Sequence, residues 1–153
     1  MEKTTGAIDL RPITLVVEGE PQGKGRPRAT SRGGFVSMYT PSKTKDYEKV
    51  IAAEAKASMA GRPMITGPVS VEMEMYHSVR KSWPKKKKEL ARLGKIAPTI
   101  KVDVDNCLKV FCDALNGLMW IDDVQVVNVT ISKRFADDPC VLFRVIPLDM
   151  QSA

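Results

Sequence analysis

The distribution of apolar residues along the chain predicts five short strands. Residues 13–18 form an apolar run before a turn, and residues 35–39 suggest a second strand. Residues 69–76 alternate apolar and polar positions, as a strand with one buried face requires. Residues 124–132 alternate again, and residues 140–146 form a last apolar strand. In the fourth of these strands the residues predicted to point inward are Val127, Val129 and Ile131.

Three further segments have the spacing of helices. Apolar residues recur at helical intervals from Tyr47 to Met59, after a Thr40-Pro41 start signal and before Gly61. The apolar positions of this helix are Tyr47, Val50, Ile51, Ala55 and Met59. Ser82 is a candidate cap for a short basic helix ending near Gly94. A third helix is predicted for residues 105–116, with Gly117 as its stop.

The order of these elements predicts an α+β fold. Strand-strand-helix-strand-helix-helix-strand-strand is neither a regular βαβ series nor all-β, which favours a mixed or mainly antiparallel sheet with helices packed on it. A chain of 153 residues can bury one core, so residues 1–153 are interpreted as a single domain. Residues 22–34 are dense in Gly, Lys and Arg, residues 23–28 among them are interpreted as a loop, and residues 1–11 and 149–153 as loose termini.

Charge and cysteine usage narrow the class of protein. Residues 1–101 carry 20 Lys and Arg against 10 Asp and Glu, whereas residues 102–153 carry 4 against 8. A basic surface around a local acidic site suits a metal-dependent nuclease, although uneven charge alone fits an ordinary soluble domain equally well. No apolar run approaches the roughly 18 residues that span a bilayer, and no signal peptide pattern is present. Three cysteines without CxxC spacing predict reduced thiols in a cytoplasmic protein without a membrane partner.

The most informative segment runs from Asp103 to Asp123. On the predicted helix, Asp105, Lys109 and Asp113 share one face, while apolar residues occupy the other. Clustered carboxylates repel one another and need solvent or a cation, and carboxylates with water are the ligands that suit Mg²⁺ or Mn²⁺. A helix cap with two i,i+4 ion pairs is the structural alternative. It leaves Asp103 and the Asp122-Asp123 pair unexplained.

These residues form a pattern similar to the signature of the RusA family of Holliday-junction resolvases. An N-terminal segment rich in Gly, Pro, Lys and Arg is similar to the opening segment of that family. The position after Lys101, often proline in the family, is Val102 here. The matched residues are Gly19, Pro21, Lys24, Gly25, Arg26, Pro27 and Arg28, then Lys101, Asp103, Asp105, Asn106, Lys109, Asp113, Ala114, Leu115, Asn116, Gly117, Asp122, Asp123 and Gln125.

The resemblance implies a RusA-like endonuclease that resolves four-way DNA junctions as a homodimer. It implies catalytic roles for Asp103, Asp105, Lys109 and Asp123, with Mg²⁺, or Mn²⁺, held by Asp103, Asp105 and Asp123. The roles of Asp113 and Asp122 stay open. Asp113 is a candidate ion-pair partner of Lys109, and Asp122 is either a ligand or solvated. Two rival functions also stay open, a nuclease acting on flaps, forks or duplex DNA and a non-catalytic DNA-binding module.

Two basic segments are candidates for DNA contact. Lys24, Arg26 and Arg28 lie in the predicted glycine-rich loop and are predicted to contact phosphates, with a solvated loop as the alternative. The run from Lys85 to Lys88 fits either DNA contact or a solvated helix face. Trp83 and Trp120 are expected to serve packing rather than base stacking.

Overall fold

A computed structural model describes residues 8–25, 28–39 and 42–153. Within these residues it contains six strands, three α-helices and one 3₁₀ turn, in the order that follows. The elements are β1 (Ile13–Glu18), β2 (Arg28–Arg32), β3 (Phe35–Tyr39), α1 (Ser42–Met59), β4 (Val69–Ser78), α2 (Lys85–Arg92), α3 (Val104–Leu115), the 3₁₀ turn (Asp123–Gln125), β5 (Val126–Ala136) and β6 (Cys140–Pro147). No helix in this part of the chain is long and apolar enough to cross a bilayer.

Four strands form one mixed sheet in the order β1-β6-β4-β5. β6 pairs antiparallel with both β1 and β4, whereas β5 pairs parallel with β4. β2 and β3 form a separate antiparallel hairpin. The predicted α+β class with a mixed sheet is therefore confirmed.

The core lies between the sheet and a layer made by α1 and α3, which also contact each other. Phe111 of α3 stacks on Phe143 of β6, with ring centroids 4.9 Å apart. Tyr47 of α1 meets the same Phe111 ring edge-on at 6.0 Å. Apolar side chains from α1, α3 and the sheet are thus removed from water, which is the main contribution that fixes α3 against the sheet.

Three local predictions are wrong. The predicted loop over residues 23–28 does not include Arg28, because Arg28–Arg32 pairs with β3 as a strand that was not predicted. Ser82 does not cap α2, which begins at Lys85 after Pro84 and has no side-chain cap. Val50 of α1 is exposed rather than buried. The Thr40-Pro41 start signal lies outside the described residues.

The inward assignment in β5 is wrong for two of its three residues. Val127 and Val129 are 60% and 39% exposed, while Ile131 packs against the core. α2 and α3 cover only part of β5, whereas α1 covers the other edge strand, β1. In addition, a register shift leaves Val127 without a partner, because Val69 pairs with Val126 and Ser70 pairs with Asn128.

The cysteines are free, as predicted. Cys107 and Cys112 are buried on α3 and Cys140 is half-buried at the start of β6. Burial raises the pKa of Cys107 and of Cys112 to about 12, because the thiolate form loses hydration there. These thiols are therefore neutral core groups at ordinary pH.

Candidate active site on helix α3

α3 presents the predicted charged face to solvent. Its inner positions, among them Cys107, Val110 and Phe111, are fully buried. Asp103, at the N-cap position, and Asp105, in the first turn, are exposed. The Asp103 side chain makes no capping hydrogen bond. Capping therefore does not account for Asp103, and neither acid has an ion-pair partner among the described residues.

Asp113 contacts two lysines. Its Oδ2 atom accepts a hydrogen bond from Lys24 Nζ and lies 3.9 Å from Lys109 Nζ, one helical turn away. Lys24 Nζ also lies 3.7 Å from Glu48 Oε1 on α1. The Asp113 hydrogen bond is the main reason that the pKa of Lys24 is raised, despite the opposing effect of burial. Lys109 itself is 64% exposed, so one side of its ammonium group is open to solvent.

Residues 19–25, here called the 19–25 loop, form hydrogen bonds with both α1 and α3. Lys24 N donates to Asn106 O of α3 at 3.4 Å, and Gly25 N donates to Thr44 Oγ1 of α1 at 2.8 Å. The loop also passes so close to α3 that a side chain at position 23 would displace its neighbours. A Cβ atom at Gly23 would lie 2.3 Å from Asn106 Nδ2 and 3.0 Å from Val102 Cγ1. The loop therefore packs against the residues that immediately flank Asp103 and Asp105.

Asp122 and Asp123 differ in environment. Asp122 Oδ1 accepts from Val124 N at 3.0 Å and so caps the 3₁₀ turn, which gives this acid a structural role. Asp123 is half-buried and takes part in no ion pair among the described residues. After burial, the charge of Asp123 is the largest contribution that raises the pKa of Cys112. Asp123 therefore lies within electrostatic range of Cys112, which is two turns along α3 from Asp105.

Gln125 fixes the segment that carries these acids. Its Nε2 atom donates to Ile65 O at 2.8 Å and to Gly67 O at 2.9 Å. Its Oε1 atom accepts from the backbone N–H groups of Ile121, at 2.9 Å, and Asp122, at 3.2 Å. One side-chain amide thus satisfies four backbone groups and holds the turn containing Asp123 against the segment before β4.

The turn after α3 is fixed by two other residues of the matched pattern. Gly117 adopts a φ of 78°, a conformation that favours glycine, and its N–H donates to Trp120 O at 2.8 Å. Asn116 Oδ1 accepts from Trp120 Nε1 at 2.7 Å, and the indole ring is fully buried. Trp120 is therefore a packing residue, as predicted. Trp83 also packs, edge-on against Phe135 at 5.2 Å.

The donor chemistry of Asp103, Asp105 and Asp123 fits a hard divalent cation, because carboxylate oxygens are ligands that Mg²⁺ and Mn²⁺ prefer. Their geometry is not that of an assembled site. Asp103 and Asp105 flank the start of α3, while Asp123 lies beyond its end. Over residues 8–25, 28–39 and 42–153, no three Asp, Glu, His or Cys side chains lie close enough to hold an ion. The three carboxylates are thus present, but among the described residues they do not form a group that could hold an ion.

The predicted phosphate contacts of the N-terminal segment remain a prediction. The Lys24 charge is already matched by two carboxylates, which does not favour a phosphate contact at this residue. Arg26 lies outside the described residues, and Arg28 is the first residue of β2. Sequence reasoning missed Gly23, Glu48 and Thr44. Only the glycine carried a usable signal, as one of several glycines in a short segment.

Comparison with known proteins agrees with the resemblance seen in the sequence and with the α+β fold. The family described as endodeoxyribonuclease RusA matches residues 18–146, which include all four predicted catalytic residues. The chain belongs to the RusA family of endodeoxyribonucleases. It is also similar to YqaN of Bacillus subtilis strain 168, a protein described as uncharacterised. The two are 44% identical over 133 residues, covering 84% of this chain and 92% of that protein.

Proposed function

We propose that this protein is a metal-dependent endonuclease that resolves four-way DNA junctions by paired phosphodiester cuts. The observation that carries the proposal is the exposed face of α3. Asp103 and Asp105 stand at its start without an ion-pair partner among the described residues, and Asp105 lies one turn before Lys109 and two turns before Asp113. An acid at a helix N-terminus gains only about 0.3–1 kcal/mol from the helix dipole, and the two unpaired acids fit membership of the RusA family.

We propose that Asp103, Asp105 and Asp123 hold the divalent cation, Mg²⁺ or Mn²⁺. When bound, such a cation polarises a phosphoryl oxygen and lowers the pKa of a coordinated water. The protein's own contribution is to fix the carboxylates. The 19–25 loop packs against the start of α3, and Gln125 holds the segment of Asp123. Both supports restrict the motion of the carboxylates that would hold the ion.

Lys109 is proposed to stabilise the charge that develops on the phosphate during cleavage. Its ammonium group is exposed on the same helix face as Asp105, and Asp113 at 3.9 Å restricts its position. A fixed positive charge aimed at a developing negative charge is worth about 10²–10³-fold in rate when it acts mainly in the transition state. Asp113 would then position Lys109 rather than take part in the chemistry.

We further propose that the protein acts as a homodimer, since a two-fold enzyme presents two equivalent sites to two equivalent strands. β5 supplies a surface for this contact. It is an outer strand of the sheet, and no described residue pairs with its free edge. Residues 126–132 carry no charge, and both exposed valines lie among them. Uncharged, exposed edge strands tend to pair with another strand, so we assign the two-fold contact to β5.

The decisive experiment is incubation with an end-labelled four-way junction and Mg²⁺, followed by mapping of the cut strands. We expect cuts at symmetry-related positions, loss of cleavage in Asp105→Asn with retained junction binding, and normal cleavage in Asp138→Asn. Asp138 is a suitable control because it is an exposed acid outside the site. Wild-type rates in Asp105→Asn would overturn the assigned site. Equal cleavage of flap, fork or linear duplex would show a nuclease with another target.

A further inference from the structure

The segment from Arg80 to Lys95, here called the basic arm, holds the positive excess of the whole chain. It contains eight Lys and Arg against one Glu, a net charge of +7, whereas the chain as a whole carries +6. All other residues together, with 16 basic and 17 acidic side chains, are close to neutral. The long-range attraction of this protein for an anion therefore originates almost entirely in the arm.

The cations of the arm are available to a ligand. Seven of the eight are exposed, and Lys88 is half-buried. Among the described residues only Arg92 has an acid partner, Asp137, with Nε and Oδ1 2.9 Å apart. Lys87 Nζ lies 4.2 Å from the centre of the Trp83 ring, which leaves the ammonium group charged. Of the other six cations, five are exposed and Lys88 is half-buried, and none has a counter-charge among the described residues.

Local helix stability does not explain these lysines. Lys85 to Lys88 occupy the first turn of α2, which has no acidic residue there and no side-chain cap. Cations at this end oppose the helix dipole, and neighbouring like charges repel one another. The arrangement costs stability unless an anion is present. An anion placed beside this turn would interact with both the lysines and the helix end.

The arm and the helix of the candidate active site contact the same strand, because α2 and α3 both pack on β5. α2 packs on β5 through Ala91, which is buried, and Trp83 packs on Phe135. Beyond the arm, Ile100 O accepts a hydrogen bond from Lys133 Nζ at 2.5 Å, which fixes the path toward Asp103. The eight residues from Lys95 to Asp103 span at most about 29 Å, so the C-terminal end of the arm lies within about nine phosphates of Asp103 along one strand.

We propose that the basic arm binds the phosphate backbone of the DNA duplex next to the cleaved strand, independently of base sequence. The proposal rests on the nuclease function above, because it assigns a surface to the substrate of the same site. It also places the main electrostatic contact on a helix whose lysines have no acid partner, rather than on the segment of Lys24, Arg26 and Arg28, where Lys24 is paired with acids.

The test compares two triple variants that lower the net charge equally. Lys81→Gln, Lys85→Gln and Lys86→Gln remove three exposed cations from the arm. Lys45→Gln, Lys49→Gln and Lys56→Gln remove three exposed cations from α1. Binding of a four-way junction and of linear duplex is measured against salt concentration without divalent metal, which prevents cleavage. A third variant with Lys→Arg at the three arm positions keeps the charge.

Each phosphate contact contributes about 0.9 to the slope of log K against log salt, so the arm variant should lose about 2.7 of slope. If the loss is purely electrostatic, this corresponds to about 500-fold weaker binding at 0.1 M salt. The α1 and Lys→Arg variants should keep the wild-type slope. An unchanged slope in the arm variant, or an equal loss in the α1 variant, would overturn the proposal.

Two further measurements separate this inference from the proposed function. Thermal melting should show the arm variant to be at least as stable as wild type, because its lysines oppose the helix dipole. At a saturating concentration, the arm variant should still cleave the junction, because the site on α3 is unchanged. Absence of cleavage by the wild-type protein would contradict the nuclease proposal alone, while the slope measurement would still decide the role of the arm.

Discussion

Gly23→Ala tests whether the 19–25 loop positions the start of α3. The added Cβ would lie 2.3 Å from Asn106 Nδ2, 3.0 Å from Asn106 Cγ and 3.0 Å from Val102 Cγ1. Contacts below 3.0 Å require movement, and Asn106 and Val102 belong to the short stretch that contains Asp103 and Asp105. Overpacking of this kind costs about 1–3 kcal/mol. For a domain of this size, we expect a decrease in melting temperature of about 2–12 °C.

The same change should lower the cleavage rate more than the loss of stability explains. Displacement of a catalytic group by 1 Å can cost about 100-fold in rate, even in a fully folded protein. Melting followed by circular dichroism, and single-turnover junction cleavage well below the melting temperature, measure the two effects separately. Gly67→Ala is the matched control, since its Cβ would meet only Met150 O at 4.0 Å. A Gly23→Ala variant that matches wild type in melting temperature and rate would refute the reasoning.

Four other predictions concern separate parts of the molecule. Lys109→Ala should reduce single-turnover cleavage by about 100-fold while junction affinity changes little, whereas equal losses in rate and affinity would indicate a ground-state phosphate contact. Asp113→Asn removes the charge that two lysines contact and should lower the free energy of unfolding in urea by about 1–2 kcal/mol, with Asp113→Glu recovering part of the loss. Val129→Lys places a charge on the exposed edge of β5 and should convert the proposed dimer to a monomer in analytical ultracentrifugation, and an unaffected dimer would exclude this edge as the interface. Cys107 and Cys112 keep their protons in the folded state up to about pH 12 but release them near pH 9 when unfolded. The free energy of unfolding should therefore fall above pH 9 by about 1.4 kcal/mol per pH unit for each thiol. Cys112→Ala should remove one of these two contributions.

The sequence by itself determined α3 and its division into two faces. Apolar residues at helical spacing, acids at the start and Gly117 after the end placed the helix within one residue of its observed limits. These signals are local, because a helix is closed by contacts between residues three or four apart. The burial of Cys107 and Phe111 and the exposure of Asp105 and Lys109 follow from the same periodicity.

The partners of the charged residues were decided by tertiary structure. Lys24 and Asp113 are 89 residues apart in the chain, and nothing in the local pattern of either indicates the other. The same is true of Gln125, whose amide reaches back to Ile65 and Gly67. Such contacts depend on how the 19–25 loop and the segment before β4 pack around α3, which a local sequence pattern does not encode.

The position of β5 in the sheet was likewise a property of the fold. Alternation predicted that Val127 and Val129 would be buried, because a strand with period-two spacing usually turns its apolar face to the core. Burial also requires a covering layer of side chains, and α2 and α3 cover only part of β5, whereas α1 covers the other edge strand, β1. How the helices lie over the sheet depends on packing across the whole chain. Periodicity therefore determined the strand, and the helix layer determined which of its valines remained exposed.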